Sequence, residues 1–177
     1  MVVDSLINPS NKRLLSRIIA HRGNIGGSNP EVENSPEQID KCISEGYDVE
    51  IDLRYDDLTK TLWLGHDSPD YKVTWYWLAQ RIRYLWVHCK TYNTLCELSD
   101  QTLPKERGYD VDTGGCNYFW HQEDHYTLTS NNIIWAYPGK PYSDLKMLKD
   151  NPNLSNTVIV MPEWNKMDWE SLQVLRC

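Results

Sequence analysis

Several short apolar segments of this sequence end in residues that can transfer protons or bind a metal ion. These residues are His21, Glu50, Asp52, His66, His88, Lys90 and His121. Histidine changes its charge near neutral pH, and histidine and carboxylate side chains both ligate cations. If the apolar segments are parallel strands, their carboxyl ends meet at one rim of the fold. The pattern therefore predicts a functional site at that rim.

The segment DVEIDLR carries the most specific pair. Strand alternation places Glu50 and Asp52 on one face, about 6.6 Å apart along the strand. Two carboxylates at that spacing can bracket a cation such as Mg²⁺ or Ca²⁺. A solvated strand face would show the same pattern, so both interpretations stay open on this motif alone.

Two histidines suggest acid–base chemistry. His21 and His66 each follow an apolar segment and each precedes a charged residue, Arg22 and Asp67. Such a pair could act as general acid and general base, although a strand-end histidine is often only structural. Arg22 would suit a phosphate oxygen or, equally, an ion pair with a nearby carboxylate.

Composition excludes several classes of function. Lys plus Arg is 18 and Asp plus Glu is 25, for a formal charge of −7, and no segment concentrates the basic residues. We therefore expect no nucleic-acid partner. No apolar run is long enough to span a membrane, and the five cysteines form no C-x-x-C pair. We expect a cytoplasmic protein without a membrane span.

The order of elements indicates an α/β fold. Helices are predicted at 35–46, with Ser35 as cap and Gln38 completing a capping box, at 74–83 with Thr74 as cap, and at 142–150. The seven strand candidates lie at 17–23, 47–55, 61–67, 84–90, 117–123, 132–139 and 157–164. Strands that alternate with helices favour a parallel sheet, either a (β/α) barrel or an open doubly wound sheet. We expect one domain over residues 1–177.

Four motifs in order make the pattern more specific. They are AHRG at 20–23, ENSPE at 33–37, VEIDLR at 49–54 and GHD at 65–67. Together they resemble the start of the glycerophosphodiester phosphodiesterase family, among the phospholipase-C-like phosphodiesterase barrels. Beyond residue 90 the likeness is one of strand order. The resemblance implies a TIM-type (β/α) barrel, here small or incomplete, that hydrolyses a small phosphodiester with a divalent cation, Mg²⁺ or Ca²⁺.

The resemblance also implies roles for single residues. His21 and His66 would be catalytic, Arg22 would contact phosphate, and Glu50 and Asp52 would ligate the metal. On the barrel rim, Lys90, His121 and Trp135 would contact the substrate.

Two departures from the family pattern matter. His88 stands where the family has a glutamate ligand, and an imidazole favours Mn²⁺ or Zn²⁺. The third ligand could instead be Glu123, Asp112 or Glu163. The chain is also short for a barrel and shows no eighth strand. Either the barrel is minimal, with short helices or bare loops, or the amino-terminal segment or a second copy of the chain, in a homo-oligomer, covers an open barrel seam.

Three functions remain open at this point. The first is a metal-dependent phosphodiesterase. The second is a related domain that binds a phosphorylated sugar, glycerol or nucleotide without cleaving it. The third is another barrel enzyme, such as a sugar-phosphate isomerase, which would have no need of the pair Glu50 and Asp52.

Overall fold

The computed structural model describes residues 18–100, 116–136 and 157–160. Within these ranges the chain forms three helices, α1 (Pro36–Ser44), α2 (Trp75–Arg81) and α3 (Tyr92–Ser99). The strands are β1 (Ile19–His21), β2 (Asp48–Asp56), β3 (Thr61–Leu64), β4 (Tyr71–Val73), β5 (Leu85–Cys89), β6 (Asn117–Phe119), β7 (Tyr126–Leu128), β8 (Ile134–Ala136) and β9 (Thr157–Ile159).

The larger sheet is built around β2. Its strand order is β4-β3-β2-β5-β6, and β1 pairs with β2 as well. Strands β1, β2, β5 and β6 are mutually parallel, whereas β3 and β4 run antiparallel to their neighbours. Apolar β2 residues such as Val49, Ile51 and Leu53 are fully buried in the main core. The opposite face of β2 carries Glu50 and Asp52.

One edge of β2 is shared by two strands. β1 pairs with residues 48–50 and β3 with residues 53–56, while β5 occupies the other edge. The chain leaves β1 after His21, opposite Glu50, and leaves β3 after Leu64, opposite Leu53. Both loops therefore leave the sheet next to Ile51 and Asp52 of β2. In open sheets, ligands bind at such a switch point, where neighbouring connections diverge.

A smaller sheet has the order β7-β8-β9. An aromatic cluster joins it to the larger sheet, with Trp86 and Phe119 packed against Trp135 and Val160. The rings of Phe119 and Trp135 stack with centroids 4.5 Å apart.

The predicted TIM-type barrel is wrong, because the described strands form two open sheets. The physical reason lies between β2 and β3, which are joined by only the four residues 57–60. A turn that short joins antiparallel strands, since a parallel connection takes a dozen residues or more. The segment 61–67 is therefore part of a hairpin and not of a βα unit.

The helices predicted at 35–46 and 74–83 are both present in the structure, as α1 and α2. Ser35 caps α1 by accepting a hydrogen bond from the Gln38 backbone N–H at 3.2 Å, and Thr74 caps α2 in the same way. The capping box is only half formed, since the Gln38 side chain donates to the carbonyl of Gly23 at 2.9 Å. Helix α3 and strands β4 and β7 were not predicted, and the helix predicted at 142–150 lies outside the described residues.

None of the helices in the described ranges is long and apolar enough to cross a membrane.

Candidate metal and acid–base site

The switch point on β2 gathers three potential metal ligands. Glu50, Asp52 and His88 each offer one ligand atom, and these atoms lie within 4.8 Å of one another. Glu50 and Asp52 are 2% and 0% exposed. Asp52 is the register partner of His88 on the adjacent parallel strand β5, which explains why the two side chains meet.

The two oxygens of Asp52 have different surroundings. Oδ2 accepts a hydrogen bond from Asn34 Nδ2 at 2.9 Å and lies 3.2 Å from Arg22 Nε. Oδ1 accepts no well-aligned hydrogen bond and lies 3.0 Å from His88 Nδ1 and 3.7 Å from Lys90 Nζ. A buried carboxylate oxygen is normally hydrogen-bonded, so Oδ1 is the atom of Asp52 placed to bind a cation.

The orientation of His88 agrees with a ligand role. Its Nε2–H donates to the backbone carbonyl of His121 at 3.0 Å, and its ring stacks on Phe119 with the planes 6° apart. In the neutral imidazole, Nδ1 then carries a lone pair that faces Asp52 Oδ1. Two electron pairs at 3.0 Å repel each other unless a cation or a proton lies between them. A ligating histidine usually has its second nitrogen bonded to a backbone carbonyl in this way.

Burial and charge shift the pKa values of the two carboxyls in opposite directions. Burial raises the pKa of Glu50 well above its ordinary value, and the neighbouring charge of Asp52 raises it further. Burial also acts to raise the pKa of Asp52, but a hydrogen bond from His88, made when a proton lies between Nδ1 and Oδ1, and one from Asn34 outweigh it and hold that pKa well below the usual range. Without a metal ion the pair therefore favours one proton, on Glu50.

His21 lies beside Glu50, with Nε2 3.7 Å from Oε2. Burial, and then the positive charge of Arg22, lower the pKa of His21 to about 4. The imidazole is therefore neutral near pH 7, where it is placed to act as a base and not as an acid.

Two residues with left-handed backbone hold the loop that follows β1. Arg22 has φ 53° and Asn34 has φ 61°, an uncommon conformation for residues other than glycine. The Arg22 carbonyl accepts from the Asn34 N–H at 2.9 Å, and Arg22 Nη1 donates to Glu33 Oε1 at 2.9 Å. Strained backbone of this kind occurs at functional sites, and here it directs the Arg22 N–H to Glu50 Oε2 at 3.2 Å.

His66 lies in the loop that leaves β3 beside Asp52, since the N–H of the preceding Gly65 donates to the Asp52 carbonyl at 3.0 Å. It follows β3, and its Nδ1 lies 2.7 Å from Asp67 Oδ1. Since a carboxylate only accepts, Nδ1 carries the proton of this hydrogen bond. A cleft of about 570 Å³ adjoins His66 and is lined by Pro30, Glu33, Asn34, His66, Asp67, Ser68, Pro69, Asp70 and Tyr71.

The structure brings most of the predicted residues together and separates two of them. Lys90 lies at the carboxylate cluster, whereas His121 reaches His88 through its carbonyl, with the ring centroids 6.0 Å apart. Trp135 is 5% exposed in the aromatic cluster and does not line the cleft. Glu123 is exposed and lies outside the ligand group, while Asp112 and Glu163 fall outside the described residues.

The structure places at the site two residues for which the sequence predicted no ligand or catalytic role, Asn34 and Arg54. Asn34 pairs reciprocally with Asp52, since the Asp52 N–H also donates to Asn34 Oδ1 at 2.9 Å. Arg54 bonds to the loop that carries His66. Both occur within the motifs ENSPE and VEIDLR, so their position was the available signal.

No protein-family model matches the chain, and neither does any curated protein or solved structure. The resemblance to the glycerophosphodiester phosphodiesterases therefore rests on the four motifs alone.

Proposed function

We propose that this protein is a metal-dependent phosphodiesterase whose cation is held by Glu50, Asp52 and His88. The observation that carries the proposal is the buried Asp52 Oδ1, which accepts no well-aligned hydrogen bond and faces His88 Nδ1 at 3.0 Å, a gap that a cation or a proton must fill. The donor set fits a divalent cation, because it combines two carboxylates with an imidazole of fixed orientation. One nitrogen ligand favours Mn²⁺ or Zn²⁺ over Mg²⁺ or Ca²⁺.

The charge of the site suits a phosphodiester. Arg22 and Lys90 bring two positive charges, and Glu33, Glu50 and Asp52 bring three negative ones when ionised. A protonated His66 and its partner Asp67 cancel each other. The sum is then −1 with the other histidines neutral, and a divalent cation changes it to +1. A phosphodiester carries one negative charge, so its binding neutralises the loaded site.

The cation, when bound, supplies Lewis-acid stabilisation of charge on the phosphoryl oxygens. His21 takes a proton from the attacking water, whose oxygen forms the new bond to phosphorus. His66 gives a proton to the ester oxygen as its bond to phosphorus breaks, so a phosphomonoester and an alcohol are released. Arg22 donates hydrogen bonds to a phosphoryl oxygen, and solvent returns the histidines to their starting protonation states.

The first test measures metal binding. Thermal unfolding with Mn²⁺, Zn²⁺, Mg²⁺ and Ca²⁺ should show stabilisation by Mn²⁺ or Zn²⁺ that is lost in His88→Ala. At a metal concentration 100 times Kd, the expected stabilisation is about 2.7 kcal/mol. His125→Ala is the matched control, because His125 is exposed and lies outside the ligand group. Equal metal responses in both variants would refute the site.

The second test measures turnover. Bis(p-nitrophenyl) phosphate and glycerophosphocholine should be hydrolysed with metal and not with EDTA, and His21→Ala should lower the rate by at least about 100-fold. Absence of turnover with every metal, or a His21→Ala variant equal to wild type, would contradict the proposal. Stabilisation by a phosphorylated ligand without turnover would favour the binding domain instead.

We also propose a cytoplasmic location, which the cysteines support. All four cysteines in the described ranges are free thiols, namely Cys42, Cys89, Cys96 and Cys116. A reducing compartment maintains thiols in that state. Association of two copies of the chain likewise stays a prediction, and sedimentation of the purified protein tests it.

A further inference from the structure

We infer that Arg54 is a positioning residue that holds the His66 loop against β2, an inference that rests on the phosphodiesterase function proposed above. Among the described residues, Arg54 forms no hydrogen bond or ion pair with Glu50, Asp52 or His88. It acts on the catalytic histidine through the backbone of the loop.

The contacts of Arg54 are specific to that loop. Its Nε donates to the carbonyl of Gly65 at 3.0 Å, and its NH2 group donates to the carbonyl of His66 at 2.5 Å. Two donors of one planar guanidinium thus bind two successive carbonyls, one of which belongs to His66 itself. A rigid, forked donor of this kind fixes both distance and orientation, which a lysine cannot do.

The loop is folded so tightly that these carbonyls have few alternative positions. Gly65 has φ +143°, and a Cβ added there would lie 2.0 Å from the carbonyl oxygen of Ser68. The Asp70 N–H donates to the Leu64 carbonyl at 2.9 Å and closes the loop. The Gly65 N–H donates to the carbonyl of Asp52 at 3.0 Å. Arg54 therefore adds a side-chain clamp to a loop that the backbone already ties to β2.

The position of Arg54 on β2 explains why this clamp matters for the chemistry. Arg54 follows Asp52 by two residues, so both side chains leave the same face of one strand. The same rigid element therefore sets the place of the proposed metal ligand and of the proposed general acid. Misplacement of a catalytic group by about 1 Å can cost about 100-fold in rate.

The decisive readout is dependence on the leaving group. p-Nitrophenol is a good leaving group that departs without protonation, whereas the alcohol released from glycerophosphocholine requires a general acid. If Arg54 acts through His66, Arg54→Met should lower kcat on glycerophosphocholine by about 100-fold and kcat on bis(p-nitrophenyl) phosphate by less than about threefold. Arg54→Lys should recover part of the loss, because it restores a donor without the planar fork.

A double-mutant cycle and a matched control complete the kinetics. The variant Arg54→Met/His66→Ala should be no slower on glycerophosphocholine than His66→Ala alone, since both changes remove one function. Arg81→Met should leave both rates unchanged, because the Arg81 guanidinium binds Asp40 and the Trp77 carbonyl on the surface. Equal losses on both substrates, no loss on either, or a double variant slowed by both factors would overturn the inference.

Hydrogen exchange tests the clamp independently of turnover. The Asp70 amide should exchange faster in Arg54→Met than in wild type, while amides of α3 keep their rates. Unchanged exchange at Asp70 would overturn the positioning role even in an active enzyme. If the wild type hydrolyses neither substrate, the proposed function fails, and the exchange result still decides whether Arg54 holds the loop.

Discussion

Two carboxyls two residues apart on one strand show opposite pKa shifts because their partners differ. Asp52 contacts Asn34, Arg22 and His88, and together they hold its negative charge. Glu50 accepts a backbone hydrogen bond from Arg22, and the charges of Arg22 and Lys90 also favour its ionised form, but burial and the charge of Asp52 outweigh these effects and raise its pKa. A bound cation would offset the cost of burying the ionised Glu50 carboxylate. The same site can therefore bind a metal ion strongly and lower the stability of the metal-free protein.

Glu50→Gln should therefore stabilise the metal-free protein. The raised pKa means that the folded state binds a proton on Glu50 more tightly than the unfolded state does, so the free energy of unfolding falls as pH rises from the unfolded to the folded pKa. At pH 7 to 8 the Glu50→Gln variant has no carboxyl to protonate or to bury as a charge. Its side-chain amide still offers a carbonyl oxygen to the Arg22 N–H. We expect a gain of about 1 kcal/mol in urea unfolding with EDTA, typical of stabilising changes at functional sites.

The control for this measurement is Glu31→Gln, because Glu31 is exposed and outside the ligand group. Its unfolding free energy should match that of wild type within about 0.5 kcal/mol. With Mn²⁺ or Zn²⁺ the order reverses, since Glu50→Gln loses a ligand and Glu31→Gln does not. A Glu50→Gln variant less stable than wild type in EDTA would show that Glu50 is not destabilising.

At the residue scale, much of the site was predictable from the sequence. Alternation placed Glu50 and Asp52 on one face, and the structure brings His88 to the same group. The hydrogen bond from Asn34 to Asp52 could not be predicted, because it depends on a left-handed backbone and joins residues 18 positions apart in the chain. Trp135 was predicted at the rim from its strand-end position, but its contacts with Phe119 and Trp86 place it in the interior.

At the scale of elements, β2 carries both the site and the main core. Helix α3 packs against β2, β5 and β6. Its Thr94 is fully buried, and Thr94 Oγ1 accepts a hydrogen bond from the Tyr55 N–H at 2.8 Å. This bond pairs a β2 amide with a helix side chain.

Thr94→Val should break that link while keeping the shape of the side chain. The Tyr55 N–H would then be buried without an acceptor, at a cost of about 1–3 kcal/mol in unfolding free energy. Thr94→Ser is the matched control, because it retains the hydroxyl. Urea unfolding followed by circular dichroism measures both variants, and equal losses would show that the lost methyl contact, not the hydrogen bond, sets the effect.

Elements differed in how far the sequence revealed them. The caps Ser35 and Thr74 act locally and were read correctly. The short turn between β2 and β3 indicates antiparallel strands, whereas the barrel prediction requires parallel ones, and the structure has them antiparallel. Helix α3 has the same kind of cap at Thr91, but its segment 92–99 was not recognised as helical.

At the scale of the whole molecule, an aromatic cluster connects the two sheets behind the candidate site. His88 stacks on Phe119 at 5.3 Å between centroids, and Phe119 stacks on Trp135 at 4.5 Å. Trp135 also contacts Trp86 at 5.8 Å. The sequence indicated an excess of tryptophan but not which rings meet, since these contacts join segments far apart in the chain.

Trp135→Ala should test whether the two sheets unfold as one unit. Removal of this buried ring from the cluster should cost about 3–5 kcal/mol in unfolding free energy. Because the Phe119 ring stacks on His88, the variant should also bind Mn²⁺ or Zn²⁺ more weakly, by about tenfold, as expected when the surroundings of a ligand are disturbed.

Trp77→Ala is the matched control, since Trp77 is only partly buried and its ring lies under Arg81. Urea unfolding by tryptophan fluorescence and by far-ultraviolet circular dichroism should give coincident transitions in wild type. A Trp135→Ala variant with wild-type stability and wild-type metal affinity would show that the smaller sheet contributes nothing to the site.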